Sequence, residues 1–168
     1  MAIRLWTALV VALTAGCVAD EQSPVQAGPP IPYEDVGACP FEGCVYREWV
    51  ANAPVEIRTD RTLTAPVAFA VGKGEKVTAV NGVVITTRPG RVEFDAPHDV
   101  DASGGRIHIE SGQSLYLLTS QGAAGPRPCV GRIVEPWQSE WWVQIRNAAG
   151  KVGWTREPGK FDNKDALG

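Results

Sequence analysis

Four cysteines, two histidines and a set of closely spaced aspartates are the side chains here that could perform covalent, acid–base or metal chemistry. Cys39 and Cys44 flank Pro40-Phe41-Glu42-Gly43. In an oxidising compartment a pair this close forms a local disulfide. Structural zinc needs four ligands, and Cys129, His98 and His108 do not stand at ligand spacing. Cys129 with His98 or His108 would make a nominal thiol–imidazole pair. However, Cys129 follows Pro126-Arg127-Pro128, where no helix N-terminus lowers a thiol pKa. It is left over, either as a buried free thiol or as an alternative partner for Cys39 or Cys44. Asp95, Asp99 and Asp101 lack the glycine and closing glutamate of a calcium loop. Gly72-Lys73-Gly74 opens no helix and so builds no phosphate cradle. These residues predict a chain that is not an enzyme and carries no metal or cofactor.

The remaining chemistry is recognition. Six tryptophans are present. Trp142, Trp137 and Trp49 offer stacking or apolar anchors of the type favoured at binding hot spots. Arg146, Arg132 and Arg127 offer forks for peptide carboxylates. Trp142, Trp137 and Arg146 are the candidate ligand-binding set. The plainer reading is that the tryptophans fill a small core short of other large residues. A net charge of −3 argues against nucleic acid, which calls for a basic face.

The elements that must position these residues begin with an export segment. Arg4 precedes an apolar stretch, residues 5–13, interrupted only by Thr7, and Thr14-Ala15-Gly16 leads to Cys17. A charged start, a short apolar run and a small-residue cleavage site make a bacterial signal peptide over residues 1–16. The run is too short for a bilayer, which needs roughly 20 apolar residues. Small residues placed directly before Cys17 resemble a lipoprotein cleavage box. That resemblance implies a diacylated Cys17, hence membrane attachment, and Val18 in the next position implies the periplasmic face of an outer membrane. The alternative is cleavage near Ala19 and a secreted, soluble protein. Residues 17–38, rich in Pro, Gly, Gln and Ser, are expected to form a disordered tether.

About 150 residues then remain, enough for one domain or two very small ones. Glycine-rich turns alternate with Val-, Ile- and Trp-bearing runs, so the chain is expected to be all-β. Strands are expected over residues 45–50, 54–58, 66–71, 91–94, 106–110, 115–119 and 130–135. Asn81-Gly82 between two β-branched runs, residues 76–80 and 83–86, is a strong hairpin signal. Residues 97–105 (PHDVDASGG) are expected to be a surface loop and the best internal boundary. A last hairpin joins residues 141–146 to 151–155 through Asn147-Ala148-Ala149-Gly150. Its alternation puts Trp141, Val143 and Ile145 on the core face, and Trp142, Gln144 and Arg146 outside. The charged end, residues 157–168, is expected to be loosely held.

This hairpin, Trp141-Trp142-Val143-Gln144-Ile145-Arg146 with Gly150-Lys151-Val152-Gly153-Trp154, resembles the closing hairpin of bacterial SH3-like domains. Gly72-Lys73-Gly74-Glu75-Lys76-Val77 and Ser111-Gly112-Gln113-Ser114-Leu115 resemble the entry to that family's central strand. The resemblance implies a small SH3-like barrel. It occurs either as two modules in tandem, a degenerate one over residues 39–96 and a second over 104–156, or as one elaborated barrel. It also implies a non-catalytic adaptor for a peptide, cell-wall or envelope-protein ligand. The alternative is a structural or assembly lipoprotein subunit of an envelope complex.

Overall fold

The computed structural model describes residues 28–102, 105–118 and 131–167. Cys17, Arg127 and Cys129 lie outside these residues, as does the whole export segment. Among the described residues the chain is all-β. The strands are β1 (Tyr33–Val36), β2 (Glu48–Ala51), β3 (Val55–Arg58), β4 (Val67–Val71), β5 (Lys76–Arg88), β6 (Gly90–Glu93), β7 (His98–Ala102), β8 (Gly105–Ile109), β9 (Ser114–Leu117), β10 (Arg132–Glu135), β11 (Gln138–Arg146), β12 (Val152–Thr155) and β13 (Phe161–Asp162). A single 3-10 turn, Pro158–Lys160, precedes β13.

The main sheet has the order β13-β2-β5-β11-β12-β3-β4, with β1 also on β5. It curls as a small β-barrel does, which shelters strand edges. Its spine is the antiparallel pair β5–β11, running from Arg88 opposite Gln138 to Thr78 opposite Arg146. The ladder skips Val80, so β5 carries one extra residue there. Such a bulge bends a strand and lets a single strand serve two neighbours. Beyond it β5 pairs with β1 (Val36 opposite Val83), and before it with β2 (Trp49 opposite Val77). Alternation fills the interior of the curl: Val55 and Ile57, Val77 and Ala79, Val143 and Ile145 are buried around Trp49 and Phe161, both 0 % exposed. Each such large side chain contributes about 1.5–3 kcal/mol by leaving water. The closing hairpin forms, with Val143 opposite Thr155 and Arg146 opposite Val152, so that residues 147–151 lie between the last paired positions where the sequence suggested a turn of four. Its turn needs glycine because Gly150 has φ +80°.

The disulfide is present. Cys39 and Cys44 are bonded with Cα atoms 5.5 Å apart. The loop it closes carries Phe41, whose ring meets Trp141 edge-on at 5.9 Å. Trp141 in turn donates from Nε1 to the Tyr46 hydroxyl at 3.2 Å, and that hydroxyl donates to the Ala38 carbonyl. Burial, the largest influence, raises the Tyr46 pKa above its ordinary value of 10.0, so the phenol keeps its proton as a donor.

Five sequence expectations are corrected. The segment assigned to a disordered tether contains β1, held by backbone pairing to β5 although two of its four side chains are acidic and its valine is exposed. No turn forms at Asn81-Gly82; neither residue has positive φ, and β5 runs straight through them. The division into modules 39–96 and 104–156 does not follow the sheet, since strands from both spans share it. Instead, residues 89–137 form an insertion between the paired strands β5 and β11. The insertion builds its own sheet, β10-β6-β9, around Val92, Phe94 and Ile109. Residues 157–167 are not loose: Phe161 is core, and Arg47 binds Asn163 and the Asp165 carbonyl.

The fifth correction concerns residues 97–105, five of which form β7, paired with β8. Opposite charges face each other across this hairpin, Asp99 against His108 and Asp101 against Arg106, which favours pairing where composition alone suggests a loop. His108 Nδ1 lies 2.7 Å from Asp99 Oδ1 and its Nε2 lies 3.6 Å from Glu110, while Arg106 reaches Asp99 at 3.9 Å. The hydrogen bond to Asp99 raises the His108 pKa above 6.5, and the same bond lowers that of Asp99 below 3.8. The tie therefore contributes fully below His108's unfolded value and is lost as pH rises through the raised folded value. Asp99's share is present above its unfolded value and is lost as pH falls through the lowered one. An NMR titration is expected to place the His108 ring above 6.5 and to return it toward 6.5 in Asp99→Asn. An unchanged His108 titration in that variant would show that the contact is not made in solution.

Candidate ligand groove

The outer face of the curled sheet is built by the side chains that alternation points away from the core. On β11 these are Glu140, Trp142 and Gln144; on β12, Trp154, which stands opposite Gln144; on β3, Glu56 and Arg58, with Arg58 opposite Trp154. A groove of about 620 Å³ opens on this face between the β3–β4 hairpin and the 3-10 turn. Trp154 and Ala70 give it apolar surface over the buried Trp142, and Leu63, 54 % exposed, stands at its side.

Charge around the groove is balanced in pairs. Arg58 Nη2 lies 2.9 Å from Glu56, Lys160 Nζ lies 2.7 Å from Glu157, and Arg156 bonds Glu140. These pairs are partly exposed, so each contributes little to stability. They keep the rim polar around an apolar strip, the usual anatomy of a recognition surface. The loop of residues 59–66 arches beside Trp154. Arg58 Nη1 donates to the Ala65 carbonyl at 2.8 Å, and the Arg61 guanidinium sits 5.5 Å from the Trp154 ring centroid.

The structure separates the three residues expected to bind ligand. Trp142 is on the outer face, as alternation requires, but it is only 2 % exposed. Expected as an exposed anchor, it is instead the covered floor of the groove, with Nε1 3.3 Å from Glu140 Oε2. Trp137 is half-buried at the junction with the inserted sheet, where Nε1 donates to Thr86 Oγ1 at 3.0 Å and Thr86 donates to the Leu118 carbonyl at 2.6 Å. Arg146 is exposed at the far end of β11, away from the groove. Trp49 is core, and Arg132 is paired with Glu93 at 2.9 Å in the inserted sheet.

Trp154 is the residue that sequence reasoning left in a motif without a role. The signal was partial: alternation puts Val152 and Trp154 on one face, but the expected four-residue turn would set Trp154 opposite Val143, and the five residues 147–151 that separate Arg146 from Val152 set it opposite Gln144 instead, on the face of Trp142. Arg61 and Leu63 carried no comparable signal, because a loop has no periodicity. Gly72 donates its N–H to Glu75 Oε2 at 3.0 Å, which makes the expected non-cradle an ordinary turn. Among the described residues no three His, Cys, Asp or Glu side chains are grouped to hold a metal ion. No family model, curated protein or solved structure matches this chain.

Proposed function

We propose that this chain is a non-catalytic binding or adaptor protein of the cell envelope, an SH3-like module that holds a peptide, cell-wall or envelope-protein ligand in the groove beside Trp154. The observation that carries this reading is the groove itself: an aromatic and aliphatic strip with paired charges at its rim. Its side chains stack, fill and hydrogen-bond. The SH3-like resemblance gains support from the part its motif plays. A Cβ at Gly153 would stand 2.5 Å from the Arg58 carbonyl, so glycine is what lets β3 lie against β12. The tryptophan that follows it then faces the groove. Export and attachment through a diacylated Cys17 rest on the N-terminal sequence, with the periplasmic face of an outer membrane as the destination.

Retention of the full mature protein on purified cell wall, and on immobilised envelope peptides, tests the reading. Trp154→Ala is expected to cost about tenfold or more in affinity, as hot-spot truncations do. Arg146→Ala, remote from the groove, is expected to stay within about twofold. Equal retention of wild type and Trp154→Ala would remove the groove as the binding site. Co-purification in fixed stoichiometry with a single envelope protein would favour the assembly-subunit alternative. Mass spectrometry of the mature N-terminus is expected to find lipid on Cys17; an unmodified N-terminus near Ala19 would make the protein a secreted, soluble one.

A further inference from the structure

We propose that the ligand of this groove presents a cationic side chain, lysine or arginine, and that Arg61 is the internal occupant this cation displaces. The inference rests on the groove reading above and names the chemistry of its partner.

Arg61 already occupies a cation site. Its guanidinium lies 5.5 Å from the Trp154 ring centroid, within the range of cation–π attraction. Its Nη1 bonds Glu34 Oε2 at 2.9 Å. An aromatic face and a carboxylate together are the recognition set for a positively charged side chain. The two binding elements belong to the framework: Glu34 lies on β1 and Trp154 on β12. Arg61 belongs to a loop.

Charge balance then selects the partner. The three other rim cations, Arg58, Arg156 and Lys160, are each committed to a carboxylate close at hand on strand or turn. Arg61 differs from them in reaching its carboxylate from a loop, across to β1. Within its loop the Asp60 carboxylate accepts the Arg61 N–H at 2.7 Å, and the Thr62 and Thr64 hydroxyls bond each other at 3.1 Å. The loop itself is tied to β3 by the Arg58–Ala65 bond and closed by Thr59 N–H on the Pro66 carbonyl at 2.9 Å, so Arg61 leaves by rotation of its side chain alone. When Arg61 swings away, Glu34 and the face of Trp154 are left without a cation. An acidic ligand would meet an unpaired carboxylate there, a neutral one would leave it unpaired, and a lysine or arginine restores both contacts. The chain's net charge of −3 steers such a ligand inward. Leu63 and Ala70 beside the site suit an apolar residue next to the ligand's cation.

The test uses the full mature protein and three capped peptides that differ at one position, with arginine, glutamine or glutamate beside a leucine. NMR follows the Trp154 indole N–H during titration. The arginine peptide is expected to shift that signal, with the glutamine and glutamate peptides binding at least about tenfold more weakly. Arg61→Ala is expected to tighten the arginine peptide about fivefold or more, because the internal competitor is gone. Glu34→Gln is expected to weaken it about threefold or more. Unperturbed remaining indole signals show that each variant is folded. Binding of the glutamine or glutamate peptide as tightly as the arginine peptide, or no gain in Arg61→Ala, would overturn the cationic partner and leave the groove standing as a binding site. No shift of the Trp154 indole with any peptide would overturn both.

Discussion

Phe161→Ala is expected to lower the free energy of unfolding by about 3–5 kcal/mol, the cost of deleting a fully buried aromatic ring and leaving a cavity. Phe161 is 0 % exposed and packs 5.8 Å, centroid to centroid, from the equally buried Trp49. It stands opposite Ala51 in the short pair β13–β2. The effect reaches further than one side chain. Around this pair Asn52 N–H donates to the Lys160 carbonyl at 2.9 Å, Val45 N–H to Lys164 at 2.9 Å, and Asn163 Nδ2 to the Glu48 carbonyl at 2.7 Å. Phe161 is the apolar residue around which these bonds are arranged, so its loss also weakens backbone pairing at one edge of the sheet. Urea unfolding followed by tryptophan fluorescence measures the change. Truncation after Glu157 is expected to match or exceed it. A loss below about 1 kcal/mol for Phe161→Ala would mean that the C-terminal strand is peripheral in solution.

The all-β class, the disulfide and the closing hairpin were legible because each has a short-range cause. Turn residues punctuate β-branched runs, two cysteines stand five positions apart, and a short turn closed by glycine joins two neighbouring strands. What was not legible depends on long-range pairing. Tyr33–Val36 looks like linker, yet it is a strand because the long β5 offers it an edge. The run after Glu157 is charged and looks loose, but one phenylalanine in it completes the core from 112 residues beyond Trp49. The side of Trp142 followed from alternation, whereas its burial did not, since the groove it lines is assembled from β3, β4, β12 and the C-terminal turn, elements distant in sequence. The groove is therefore a product of tertiary structure. Its member named from sequence was Trp142; Trp154 had no assigned role, and the cation on that ring arrives from a loop with no sequence signature.

Gly82 supplies the sharpest contest between local and tertiary causes. Propensity favours Gly82→Val: β5 is extended on both sides, and glycine inside a strand costs roughly 0.5–1 kcal/mol relative to alanine. Sterics predict the opposite sign. A Cβ built at Gly82 would lie 2.0 Å from the Tyr46 hydroxyl oxygen and 2.7 Å from Trp141 Nε1. Neither neighbour gives way cheaply, because they hydrogen-bond each other and the Tyr46 hydroxyl is also tied to the Ala38 carbonyl beside the disulfide. Gly82→Val is therefore expected to destabilise the fold by about 3 kcal/mol, at the upper end of overpacking costs. It should also disturb the indole N–H signal of Trp141. Tyr46→Phe removes the nearest clashing atom, so the double variant is expected to lose about 1 kcal/mol less than the sum of the two single losses. Strict additivity would place the Tyr46 hydroxyl away from Gly82 in solution. A more stable Gly82→Val would mean that the Tyr46–Trp141 pair does not cross the strand, because only an extended, uncovered β5 could accept that side chain at a profit.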